Sequence, residues 1–507
     1  MGTGVALDLG SSGFRAQAID LSQGDIVAGA CTLCHPLPGK NVIDQILFSL
    51  TYGQDLAHRI VIKTVNQLIE QVAEAKEIEL LAVCGNPIQL GLLTNGEIRD
   101  LAFSPDAMMR KGIAMPSRES RALDAATIGL AAGCDILVPP AIKAEVGADA
   151  IAMIMKSGML HEPLAIGIDF GTNAEMVLLH RGRMLVGSAA AGPAIEGQHI
   201  SQGMLAAPGA ISDLEYDWGW RCRVLDERMQ PQAGDTVDLA DGRIVVKRKP
   251  RAAGITGTGV IALVSVALEA GYIDPPRIAT ASGKLTLQDG IEFGEQDLME
   301  AGKAFGALRA GQRSLAEEAK VSLGEIRTCY MAGLAGTLCD PNKARQLGLI
   351  PSLTRTVSLL GNTSLEMARD LVSRRETLEG MERVAEKAEH ISFSASENFK
   401  RNYLAEYSYW CEGARSPERD AEKKAERPPL KIILVKEKVP GSPMKYLIPD
   451  YRIPGLDVKS NERCIQACPK RALLLQDGFL EVDLGRCLGV SCLRCERACL
   501  GFRLGVD

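Results

Sequence analysis

The chain has 507 residues, a formal net charge of −6, 46% hydrophobic and 24% charged residues, and only 4% aromatics. That length predicts two to four domains with ample core, and the slightly acidic balance excludes the basic footprint of a nucleic-acid binder. No apolar run reaches the ~18 residues of a spanning helix, so no membrane role is expected.

The opening Met1-Gly2-Thr3-Gly4 leads into a strand without a basic n-region, so no signal peptide is expected. Ala6 stands where a myristoylated chain would carry Ser or Thr. A cytoplasmic location follows, where thiols stay reduced. Val5-Ala6-Leu7-Asp8-Leu9 reads as a short apolar strand ending near an Asp. The turn Gly10-Ser11-Ser12-Gly13 and a second strand, Phe14–Ile19, follow. Small residues in a tight turn let backbone N–H groups approach phosphate oxygens. An Asp at the strand end can hold Mg²⁺ through water, because Mg²⁺ keeps several waters and prefers oxygen. One such hairpin says little, but the pattern returns 161 positions later. Ile166-Gly167-Ile168-Asp169-Phe170 is followed by Gly171-Thr172-Asn173 and a strand over Glu175–Leu179. Two copies at domain-scale separation predict a duplicated α/β fold with a nucleotide between two lobes that divide near residue 160.

Between the copies, Cys31-Thr32-Leu33-Cys34-His35 matches a haem-attachment pattern. Haem attachment requires export, so a loop with two thiols is the reading preferred. Cys84, Cys134, Cys222, Cys329, Cys339 and Cys411 are scattered and read as small buried hydrophobes. Beyond the second copy come two glycine-rich turns. Gly254-Ile255-Thr256-Gly257-Thr258-Gly259 precedes a helical pattern, and Met331-Ala332-Gly333-Leu334-Ala335-Gly336 follows a strand. Residues 411–430 are charged and contain Pro417, Pro428 and Pro429, which predicts a solvated linker between an ATPase over 1–410 and a tail module over 431–507 opened by a strand at Lys431–Val435.

Six of the 14 cysteines fall in the last 44 residues, as Cys464-x3-Cys468-Pro469 and Cys487-x4-Cys492-x2-Cys495-x3-Cys499. Thiolates so spaced wrap a cubane iron–sulfur cluster, and the last Cys of a run ligates the other cluster of a two-cluster ferredoxin. Cys487, Cys492 and Cys495 with Cys468 crossing over give one full [4Fe–4S] ligand set. The first run would need Cys at 458 and 461, where Val458 and Asn461 stand, so Cys464 and Cys499 are left as a degenerate second site. Four-cysteine sets also bind zinc; the Cys-Pro step and a hairpin-like stretch at Ala472–Asp483 favour the small α+β ferredoxin fold.

Asp8–Gly13, Asp169–Asn173 and Met331–Gly336 resemble the phosphate and adenosine motifs of the actin, sugar-kinase and chaperone ATPase superfamily. More specifically, Cys84-Gly85-Asn86-Pro87, Val146-Gly147-Ala148-Asp149, Asp169–Glu175, Gly192–Gly197, Gly203–Ile211, Gly348–Pro351 and Gly361-Asn362 resemble stretches of the ATP-dependent reductive activators of corrinoid proteins. The resemblance covers roughly residues 4 to 410. Some members of that family begin with a plant-type [2Fe–2S] domain; this chain carries a bacterial-type tail instead, similar to that of methylamine-methyltransferase activases, whose two cluster runs are complete.

The resemblance implies ATP, Mg²⁺ and a [4Fe–4S] cluster as cofactors, with a corrinoid protein and a low-potential electron donor as partners. Asp8 and Asp169 would position Mg²⁺ and the attacking water. Ser11, Ser12, Gly171, Thr172 and Asn173 would bind phosphates, Gly257, Gly333 and Gly336 would let the nucleotide approach, and Glu175 and Glu196 would be polar partners. Two other readings stay open. One is an ATP-gated donor to another low-potential enzyme, such as a nickel-tetrapyrrole reductase or a dehydratase. The other is a kinase or scaffold whose cluster is structural.

Overall fold

The structure is a computed structural model. It describes residues 2–32, 34–38, 42–103, 105–113, 116–143, 145–171, 173–189, 194, 199–227, 229–424, 426–435, 445–447, 473–476 and 479–482. The chain forms two compact units that alternate along the sequence, passing from the first to the second after Lys156, back at Asn362, and again to the second at Glu389. Residues 362–388 return to the first unit, which was not anticipated.

In the first unit, β1 (Thr3–Leu9), β2 (Phe14–Asp20) and β3 (Ile26–Thr32) form an antiparallel meander. β4 (Ile78–Gly85) lies parallel to β1, followed in the sheet by β6 (Asp135–Val138) and the edge strand β5 (Arg121–Asp124). Most of β1 is buried because helices cover both faces of the sheet, which explains its near-continuous apolar run. Gln54–Val72 packs on β2 and β3, and Thr363–Ser373 packs on β1 and β4.

The second unit repeats the order. β7 (Leu164–Phe170), β8 (Ala174–His180) and β9 (Arg183–Ala189) form the meander, and Thr328–Ala332 then Thr356–Leu359 continue it in parallel from β7. The shared sequence of third, second and first strand, then two parallel strands, is the duplication that the two Asp hairpins predicted. A smaller five-stranded sheet is inserted, with Ala210–Tyr216 packed against the helix Gly257–Glu269. The 25-residue helix Glu295–Ala319 lies under β8 and β9 and carries Glu397–Glu412 along its length. The two helices approach closely because Gly302 faces Trp410; a Cβ there would sit 2.5 Å from the Trp410 Cβ.

Residues 411–430 differ from the expected linker. Pro417–Lys424 is helical, and Arg419 is buried. Its guanidinium meets Glu406 Oε2 at 2.5 Å and lies over the rings of Tyr409 and Trp410. Glu406 also accepts from Arg309 Nε at 2.9 Å, and Arg309 reaches Glu422 at 2.8 Å. Arg419 and Glu422 are thus drawn into pairing with Glu406 and Arg309, while Arg415, Glu418, Asp420 and Glu426 stay exposed. The strand expected to open the tail module also differs: Lys431–Leu434 is a parallel edge strand on Thr356–Leu359, fixed by Lys431 N–H to Arg355 O at 2.8 Å and Val435 N–H to Leu359 O at 3.0 Å. Lys445–Leu447 likewise adds to β3 of the first unit. Of the tail proper, the structure describes the antiparallel pair Leu473–Gln476 and Phe479–Val482, at the place where the hairpin was expected. Among the described residues no helix is long and apolar enough to cross a membrane.

Candidate functional site

β1 delivers Asp8 two residues before the turn Gly10–Gly13, which is closed by Gly10 N–H to Gly13 O at 3.1 Å. The carboxylate is buried. Its Oδ2 accepts from Arg15 Nη1 at 3.0 Å, directly across the β1–β2 register, and from Asn362 Nδ2 at 2.7 Å. Asn362 N-caps Thr363–Ser373, accepting from Leu365 N–H at 2.9 Å. Packing of Thr363–Ser373 on β1 and β4, with the Asn362–Asp8 hydrogen bond, holds this segment in the first unit.

A second carboxylate stands close by. Asp149 belongs to the first turn of the helix Ala148–Ser157. Burial, with the Asp8 charge adding to it against hydrogen bonds from backbone N–H groups, pushes Asp149 up to about 6. Cys84, at the end of β4, is fully buried beside the same two acids, and its thiol is pushed well above the ordinary range by that burial. Asn362 and Asp149 lie in the family-like stretches Gly361-Asn362 and Val146–Asp149, where a lone polar residue gives no signal of a role until the fold brings it beside Asp8.

In the second unit, Asp169 sits at the equivalent place on β7, opposite Glu175 on β8. Glu175 is buried and accepts from Ser188 Oγ at 3.2 Å. The turn Met331–Gly336 runs from a strand parallel to β7 into the helix Gly333–Leu338, with Ala332 in register with Asp169. Gly333 has φ +78°, and a Cβ added there would lie 2.3 Å from Asp169 Oδ1. Glycine is therefore required twice, by the left-handed backbone and by the carboxylate. Gly333 N–H donates to Gly361 O at 3.2 Å, and Thr337 Oγ1 ties both ends by donating to Gly333 O at 2.8 Å and accepting from Gly361 N–H at 3.1 Å. Gly336 packs on the Phe170 ring.

Gly257 opens its helix behind the N-cap Thr256, whose Oγ1 accepts from Gly259 N–H at 3.0 Å. The crowded glycine of that turn is Gly259, where a Cβ would meet Ile211 O at 2.3 Å. The structure thus brings Asp8 together with Arg15, Asn362 and Asp149, and Asp169 together with Gly333 and Gly336. Thr172 and Glu196 lie outside the described residues, as do Cys464, Cys468, Cys487, Cys492, Cys495 and Cys499. Of the scattered cysteines, Cys84, Cys222, Cys329 and Cys339 are buried, and Cys134 and Cys411 are half-buried. Burial pushes the Cys222 thiol up to about 11, as expected of inert core residues.

The repeated sheet order, each copy with its Asp hairpin, defines an actin- and sugar-kinase-like ATPase fold. Residues 163–419 match the family described as the C-terminal domain of RACo, the ASKHA domain, and residues 3–162 match the RACo middle region. A protein of Methanosarcina barkeri named [Co(II) methylated amine-specific corrinoid protein] reductase is 40% identical, over 96% of this chain and 95% of its own. The chain belongs to the RACo family of corrinoid reductive activators. The corrinoid activation enzyme RamQ of Eubacterium limosum is 22% identical over 79% of this chain and 69% of its own. A solved structure titled reductive activator for corrinoid, iron–sulfur protein shares the fold, with a TM-score of 0.64 and 22% identity; the match covers 80% of this chain and 66% of that one, just under two thirds of its length.

Proposed function

We propose that this chain is an ATP-dependent reductive activator that returns the cobalt of a methyl-transferring corrinoid protein from Co(II) to Co(I). The observation carrying this reading is the 40% identity, running through nearly the whole of both chains, to a reductase named for that reaction. The two Asp hairpins support the ATP half of it. Asp8 is held by Arg15 and Asn362, and Asp169 is cradled by Gly333, so each carboxylate has a fixed direction in which to hold Mg²⁺ or its waters. Ser11 and Ser12 of one turn, and Gly171, Thr172 and Asn173 of the other, are assigned to phosphate binding.

Cys468, Cys487, Cys492 and Cys495 form a donor set of four thiolates suited to a [4Fe–4S] cluster, with Cys464 and Cys499 as a degenerate second site. When bound, that cluster supplies one electron at a time, taken from a low-potential donor. A reducing, cytoplasmic setting, where thiols stay available as ligands, suits such a cluster. Reducing Co(II) is uphill for ordinary donors, so the ATPase must contribute free energy through conformation. Each ~1.4 kcal/mol by which the nucleotide favours the complex with the reducible corrinoid shifts that equilibrium tenfold.

The test is to mix the anaerobically purified protein, a Co(II) corrinoid protein of a methylamine methyltransferase system and a low-potential donor, then follow the cobalt spectrum. Co(I) is expected only with ATP and Mg²⁺ both present. Full Co(I) without nucleotide would overturn the reading.

A further inference from the structure

We propose that Gln45, Gln89 and His35 are positioning residues that set the phosphate turn Gly10–Gly13 from inside the first unit. The inference rests on reading that turn as phosphate-binding. The three side chains are buried and form an unbroken hydrogen-bond chain. Leu37 N–H donates to His35 Nδ1 at 3.0 Å, and His35 Nε2 meets Gln89 Oε1 at 2.9 Å. Gln89 Nε2 donates to Gln45 Oε1 at 2.5 Å, and Gln45 Nε2 donates to the Ser11 carbonyl at 2.9 Å.

The direction of every link is fixed by the two ends. A backbone carbonyl can only accept and a backbone N–H can only donate. Ser11 O therefore requires the Gln45 amide nitrogen, which turns Gln45 Oε1 toward the Gln89 nitrogen and Gln89 Oε1 toward His35. His35 must then carry its proton on Nε2 and accept at Nδ1. A reversed chain would use the 3.5 Å approach of His35 Nδ1 to Leu37 O, but it would leave Gln45 Oε1 facing the Ser11 carbonyl, acceptor against acceptor.

The consequence for the turn follows from peptide geometry. In a trans peptide the N–H points opposite to the preceding C=O. Anchoring Ser11 O inward on Gln45 therefore turns the Ser12 N–H outward, the orientation a phosphate oxygen needs. Three elements converge to do this. Gln45 is on the helix Val42–Tyr52, and Gln89 is on Pro87–Leu93, capped by Asn86 through Gln89 N–H at 3.1 Å. His35 follows β3 with Phe14 edge-on to its ring at 5.1 Å. Both His35 nitrogens are engaged in this chain, which gives His35 a role in holding the turn.

The experiment compares Mg·ATP and adenosine binding by the full chain for wild type, Gln45→Met, Gln89→Met and Asp8→Asn. Met keeps the side chain's length and volume without a donor. Gln45→Met is expected to weaken Mg·ATP about tenfold, the worth of a buried hydrogen bond to the turn, while adenosine affinity is unchanged. Gln89→Met should act in the same direction with a smaller effect. If Asp8→Asn weakens Mg·ATP and neither Met variant does, the relay is overturned while the phosphate turn stands. If none of the three matters, the reading of the turn itself is wrong and the relay falls with it. Equal loss of ATP and adenosine in the Met variants would reduce the chain to a packing role and also overturn the proposal.

Discussion

Gly333→Ala puts a single methyl group where the second unit has no room for it. The backbone there is left-handed at φ +78°, which costs a non-glycine residue about 1–2 kcal/mol. The new Cβ would also lie 2.3 Å from Asp169 Oδ1, so the carboxylate must retreat by about 1 Å to reach ordinary contact. A displacement of that size at a reacting centre costs on the order of 10²-fold in rate. The expected phenotype is a folded protein, melting lower by roughly 2–8 °C, with ATP hydrolysis reduced about a hundredfold. Gly271→Ala is the matched control: its φ is +75° with nothing within 4 Å, so it should share the stability loss and keep the ATPase. Steady-state ATP turnover beside thermal unfolding of both variants makes the comparison. Wild-type turnover in a folded Gly333→Ala protein would refute the assignment of Asp169 to the nucleotide chemistry.

Three further outcomes follow from the same structure. Arg419→Met leaves Glu406 buried with only Arg309 to pair it, and should cost about 3 kcal/mol, a drop of roughly 6–12 °C in a melting scan; an unchanged melting temperature would mean that the helix Pro417–Lys424 is not held by this network. Asp149 is raised from 3.8 to about 6 in the folded state, so the native protein binds the extra proton between those values and wild-type stability falls as pH rises through that window. Asp149→Asn removes the penalty, so it should gain stability over wild type above about pH 6 and lose that advantage toward pH 4 in unfolding curves taken across the range; a constant difference at all pH values would contradict the buried, raised carboxylate. Iron analysis should give about four atoms per chain, lost in Cys492→Ala; near eight would refute the degenerate second site, and zinc in their place would remove the redox role.

The sequence made the duplication visible because β1 and β7 each carry an Asp one residue before their end, beside a glycine turn, a local pattern that survives without knowledge of the fold. Gly333 was singled out on the same footing. What stayed hidden depends on long-range partners. Gln45, Gln89 and His35 lie on three elements up to 54 positions apart, and nothing in their local context marks them as a set. Asn362 meets Asp8 across 354 positions. The run Arg415–Arg427 reads as solvated because buried and exposed ion pairs look alike in one dimension; only the packing of Arg419 against Tyr409 and Trp410 separates them. Lys431–Leu434 was recognisable as a strand, but the neighbour it pairs with, Thr356–Leu359, was not, since edge pairing is set by the sheet and not by the strand.

The most direct test of the central claim separates the electron path from its energy source. Co(I) formation and ATP hydrolysis are measured side by side, anaerobically, for wild type, Cys492→Ala and Asp169→Ala, with one corrinoid protein and one donor at matched concentrations. Cys492→Ala should lose Co(I) formation and keep ATP hydrolysis, while Asp169→Ala should lose both. Undiminished Co(I) formation by Cys492→Ala, or by Asp169→Ala with its ATPase gone, would contradict an electron carrier driven by this ATPase.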